Sequence, residues 1–107
     1  MARRKHRGMK LGAAPDVHAY QARMALNLTA DALGKVDREV ASKTPDCNKI
    51  WDNLLVARAD LGHAMAHLDS YEASKDLMGY ASGLRIRFER TRETIGFQCT
   101  RRRGGIR

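Results

Sequence analysis

Arginines, a histidine pair and two cysteines are the side chains here whose type and spacing could do chemistry. Arg101-Arg102-Arg103 is the densest cluster, with Arg107 behind it, and Arg3, Arg4, Lys5, Arg7 and Lys10 stand near the other end. A guanidinium is planar, always charged and able to bridge two phosphate oxygens. Cations gathered without acids bind a polyanion chiefly by releasing its condensed counterions, which is insensitive to sequence and strongly sensitive to salt. Arg85, Arg87, Arg90 and Arg92 make a further basic group, interrupted by Glu89 and Glu93. On a helix, pairs such as Arg85–Glu89 neutralise it in part, and the remaining cations continue into the arginines that follow.

Asp60, His63 and His67 are spaced by three and four, which puts them on one helix face, and His-x-x-x-His is a common helical metal pair. Ala64 follows His63 directly, so the glutamate of a metalloprotease helix is missing. Their arc points away from Ile50, Leu61 and Leu68. The reading is a solvent-facing histidine pair without a metal. Cys47 and Cys99 are too few for a disulfide framework or a zinc site, and free thiols in a reducing compartment are the expectation. Cys47 falls on an apolar arc and reads as a buried structural thiol. No Gly-rich phosphate loop, nucleophile elbow, carboxylate pair or cofactor fingerprint is present. The reading is therefore a non-enzymatic protein with no cofactor and no small-molecule substrate.

The charge is unevenly placed. The chain has 107 residues and a formal charge of +8, enough for one domain. Residues 1–14 hold 5 Lys+Arg and no acid, and residues 97–107 hold 4 and no acid. Residues 15–96 hold 11 Lys+Arg against 12 Asp+Glu. The middle is nearly neutral and the excess sits in two short segments that also contain Gly8, Gly12, Gly104 and Gly105. Glycines and like charges oppose compact structure, which predicts a flexible basic arm over 1–14 and a flexible tail over 97–107. No apolar run approaches the roughly 20 residues of a membrane span. The first 14 residues lack the apolar stretch of a secretion signal, so the expected setting is cytoplasmic or particle-associated. Asn27-Leu28-Thr29 matches a glycosylation acceptor, which means nothing without the secretory route that the expected setting lacks.

Helices are the elements that must position these groups. Pro15-Asp16 and Pro45-Asp46 each open an apolar-periodic stretch, with proline suited to the first helical position and aspartate facing the positive end of the dipole. Thr44 is a candidate N-cap, and Asp69-Ser70-Tyr71-Glu72 has capping-box-like spacing. Helices over about 15–43, 45–68 and 70–95 follow, of about 43, 36 and 39 Å. Similar lengths and short joints favour an antiparallel three-helix bundle. A long helical hairpin is the alternative, because no Gly or Pro stands at 69–70. On the helical wheel, Val17, Tyr20, Met24 and Leu28 share one side of the first helix, and Leu26, Leu33, Val36 and Val40 an adjacent side. Cys47, Ile50, Leu54, Ala57, Leu61, Met65 and Leu68 line the second, with Trp51 and Leu55 extending the arc. Ala73, Leu77, Ala81, Leu84, Phe88 and Ile95 line the third. All of these read as core. Gly79 and Gly83 lie off that stripe, as a mere weakening of the helix or as a close helix–helix contact between subunits.

The expected function is nucleic-acid binding through the DNA or RNA backbone, as in a component of a nucleoprotein particle or virion. Helices of about 25 residues are too long for a helix-turn-helix, and no residues are placed to read bases. The alternative is a helical interaction or assembly module, as a homo-oligomer or larger assembly, whose basic tails dock on an acidic partner. Neither tail carries an apolar anchor for a membrane.

Overall fold

The cap residues decide where each helix begins. The computed structural model of the chain describes residues 14–99, as helices α1 (Pro15–Val40), α2 (Cys47–Leu68) and α3 (Lys75–Gln98), and no strand occurs among the described residues. α1 opens as the sequence predicts, with Pro15 at its start and Asp16 in its first turn. α2 begins later than predicted. Asp46, not Thr44, is its N-cap, and the Asp46 carboxylate accepts from the N–H groups of Asn48 at 3.0 Å and Lys49 at 3.3 Å. A carboxylate satisfies two free donors and faces the helix dipole, where a threonine hydroxyl offers a weaker acceptor. The Asp46 N–H donates in turn to the Glu39 carboxylate, which ties the connection back to the end of α1. Asp69 caps the C-terminus of α2 rather than opening α3. Ser74 starts α3, its hydroxyl accepting from the Leu77 N–H at 3.2 Å.

α1 and α2 form an antiparallel hairpin, and α3 returns antiparallel to α2. Tyr80 donates its hydroxyl to Asn27, and further along both helices Arg87 reaches Asp37, so α3 runs in the direction of α1. The chain is thus a three-helix bundle and not a long hairpin. Its described part measures 54 × 25 × 17 Å.

Side-chain size sorts the contacts. α1 buries Ala22, Ala25 and Ala32, and α2 buries Ala57 and Ala64. Small side chains let two helix axes approach closely, and the α1–α2 contact is the most extensive in the fold. Larger residues fill the groove where α3 sits: Leu26, Leu33, Val36, Ile50, Leu54 and Leu61 from the hairpin, and Leu77, Leu84, Phe88 and Ile95 from α3. Thr29 is fully buried and donates its hydroxyl to the Ala25 carbonyl. The threonine of the Asn27-Leu28-Thr29 pattern is therefore inside the protein, while Asn27 is exposed.

Two sequence expectations fail in this core. Val17, Tyr20, Met24 and Leu28 do not enter it; they are 44, 61, 43 and 51 % exposed. The alanine face of α1 takes the seam with α2, and a helix with two neighbours buries only the sides that face them. Leu55 is likewise exposed. The cysteines are not free: Cys47 and Cys99 form a disulfide, and no free cysteine is present. Cys47 opens α2 and Cys99 closes α3, so the antiparallel course of these helices brings two residues 52 apart in sequence to one pole. The bond also moves the expected boundary of the body. Residues 97 and 98 continue α3, and Cys99 is buried.

Candidate functional site

α3 carries the internal arginines on flanks that do not face the core. Arg85, Arg90 and Arg92 are exposed and Arg87 is half-buried. Arg87 reaches across to Asp37 of α1 at 2.9 Å, and Arg92 pairs with Glu89 at 3.1 Å. The expected Arg85–Glu89 pair does not form. Glu89 turns instead toward the arginine that follows it, the orientation favoured along a helix dipole. Among the described residues, Arg85 and Arg90 make no ion pair. Together with Ile86 and Glu89 they line a shallow surface depression of about 260 Å³. This flank thus offers two guanidiniums free to meet an anion. The candidates Arg3, Arg4, Lys5, Arg7, Lys10, Arg101, Arg102, Arg103 and Arg107 lie outside the described residues.

One of the two histidines is not where the helical wheel put it. His67 is buried, not solvent-facing, because the close α1–α2 seam covers the flank of α2 on which it stands. His63, one turn earlier, remains exposed and meets the His67 ring edge-on, with centroids 4.7 Å apart. Asp60 is half-buried. Among the described residues, no group of three or more His, Cys, Asp or Glu side chains is arranged to hold a metal ion.

The partner of His67 is a residue the sequence reading passed over. His18, in the first turn of α1, is buried, and its Nδ1 lies 3.0 Å from His67 Nδ1. Tyr71, in the turn between α2 and α3, stacks on His18 at 17° with centroids 5.7 Å apart. The Tyr71 hydroxyl is buried without a hydrogen-bond partner. Burial lowers the pKa of His67 below the ordinary 6.5, and the like charges of His63 and His18 lower it further. Burial raises the pKa of Tyr71 above 10.0, with Arg23 acting in the opposite direction. A signal for His18 was present: it continues the series Ala22, Ala25, Thr29, Ala32 and Val36, at the spacing of one helix face.

No described helix is long and apolar enough to cross a membrane. The fold and sites together define a small all-α protein of three helices. In comparison with known proteins, no family model, no curated protein and no solved structure matches this chain.

Proposed function

We propose that this is a non-enzymatic protein that binds nucleic acid through the phosphate backbone, without regard to sequence. The observation that carries this reading is the segregation of charge: nine Lys+Arg and no acid in residues 1–14 and 97–107, flanking a nearly neutral body. The exposed, unpaired Arg85 and Arg90 support it, since α3 leads directly into Arg101-Arg102-Arg103. The Cys47–Cys99 disulfide ties down the end of α3, two residues before Arg101 in sequence. Backbone neutralisation by nine cations corresponds to a slope of about −8 in log K against log salt.

The test is binding of random-sequence DNA and RNA duplexes and single strands across a salt series. Neutralising Arg101, Arg102 and Arg103 should weaken binding to every sequence alike and flatten the slope by about 3. A change in preference between sequences would overturn this mechanism.

One observation favours the second reading, an assembly module. Val17, Tyr20, Met24 and Leu28 form a continuous exposed apolar face on α1, and contiguous apolar surface marks interaction sites more often than scattered residues do. Elution from heparin at low salt together with a defined oligomer by light scattering would favour this alternative.

A further inference from the structure

Covalent restraint in this bundle is one-sided. The α1–α2 connection and the Cys47–Cys99 disulfide both lie at one pole. At the other pole the α2–α3 turn joins only those two helices. The first turns of α1 are held there by packing and by the contact between His18 and His67.

That contact has a strict proton requirement. Two neutral imidazoles satisfy it when one carries its proton on Nδ1 and donates, and the other carries its proton on Nε2 and accepts. A single added proton keeps a donor and an acceptor in place. A second added proton leaves two N–H groups facing each other across 3.0 Å, in a seam shielded from water. Two buried like charges without an acceptor between them cost far more than the hydrogen bond returns.

We propose that the His18–His67 pair is an acid-sensitive latch that holds the first turns of α1 on α2 and releases them when both imidazoles are charged. Among the described residues no acid pairs with either ring; Asp60, half-buried on the same face of α2, stands two turns before His67. α1 contributes His18 and Arg23, α2 contributes His63, and the α2–α3 turn contributes Tyr71, whose phenol is neutral in this range. The acids nearest in sequence, Asp16, Asp69 and Glu72, are exposed, as are Lys75 and Asp76 at the start of α3. Once α1 swings away, the His67 ring regains water and protonates near the ordinary value of about 6.5. Acid therefore favours the open form, by linkage. The released segment includes Ala22, Ala25 and Leu26 of the seam, while the disulfide pole stays closed.

The test is amide hydrogen exchange on the full chain with its disulfide intact, from about pH 7.5 to pH 5, corrected for intrinsic rates. Protection of residues 18–26 should fall about tenfold or more on acidification, while residues 33–40 keep theirs. His67→Asn places an amide near the Nδ1 position and removes the titrating group, so its protection should no longer depend on pH. His18→Asn removes the other ring of the pair and should likewise abolish the pH dependence; this variant decides the matter if His67→Asn does not fold. The proposal is overturned by protection that does not change with pH, by equal loss in both segments, or by full acid sensitivity in either variant. Nucleic acid takes no part in the experiment, so its outcome is independent of the binding proposal.

Discussion

Trp51 donates its indole N–H to the carbonyl oxygen of Cys99 at 2.7 Å, across 48 residues of sequence. The same two turns of helix are joined by the Cys47–Cys99 disulfide. The end of α3 is thus held to the start of α2 twice, once covalently and once by a polar contact that does not depend on the sulfur atoms.

Removing the covalent tie should therefore cost stability without changing the fold. A crosslink across 52 residues restricts the unfolded chain by about 4 kcal/mol on the chain-entropy account. The double variant Cys47→Ser, Cys99→Ser should lose up to that amount in urea unfolding and keep its helical circular dichroism. Tryptophan emission should show Trp51 still partly sheltered.

The glycines of α3 make the opposite case. A Cβ placed on Gly79 or on Gly83 meets nothing within 4 Å, so neither is required by packing within the described chain. Gly79→Ala and Gly83→Ala should each raise stability by roughly 0.5–1 kcal/mol, the cost of glycine in a helix interior. If the pair serves a contact between subunits, the same variants should lower the oligomer mass seen by light scattering.

Helix starts separate local propensity from actual capping. Ser74→Ala and Asp46→Ala should each cost about 1 kcal/mol. Thr44→Ala should cost less than about 0.5 kcal/mol, because Thr44 lies in the connection before the cap. Thermal unfolding of the three variants side by side measures this.

How far these features could be read from the residues depends on what kind of signal each one leaves. The stripe Ala73, Leu77, Ala81, Leu84, Phe88 and Ile95 is regular and flanked by charges, and every member is buried except Ala73, which is half-buried ahead of α3. α1 misleads because it carries two candidate faces. Hydropathy favours Val17, Tyr20, Met24 and Leu28, while the face that packs on α2 is His18, Ala22, Ala25, Thr29 and Ala32. Small residues mark close helix approach, a pairwise property that one helix's apolarity does not record. The disulfide left no local pattern at all: it required knowing that α2 and α3 are antiparallel and begin and end at the same pole. His18 and His67 were separated by the same gap, since a buried polar pair becomes legible only when both partners are brought together.

Exposure on α1 has a direct consequence for stability. Met24→Gln and Leu28→Gln should change the unfolding free energy by less than about 0.5 kcal/mol. Leu26→Ala, one residue from the seam alanine Ala25 and fully buried, should cost about 2–5 kcal/mol. Larger losses at Met24 in concentrated protein than in dilute protein would show that this face is covered by a second copy.

Global stability should depend on pH from both sides. His67 has a pKa lowered in the folded state, first by burial and then by His63 and His18. The unfolded chain then binds more protons wherever the pH lies between the lowered value and 6.5. Stability is therefore full above about pH 7, declines as pH falls through 6.5, and levels off only below the folded value. Tyr71 acts in the other direction. Its pKa is raised chiefly by burial, so the folded state prefers the neutral phenol, and its contribution is full below pH 10 and lost as pH rises through the raised value. Urea unfolding at about pH 5, 7 and 11 should give its highest midpoint at pH 7. Tyr71→Phe removes both the ionisation and the unpartnered hydroxyl, so it should abolish the alkaline arm and leave the acid arm intact. His67→Asn should do the reverse.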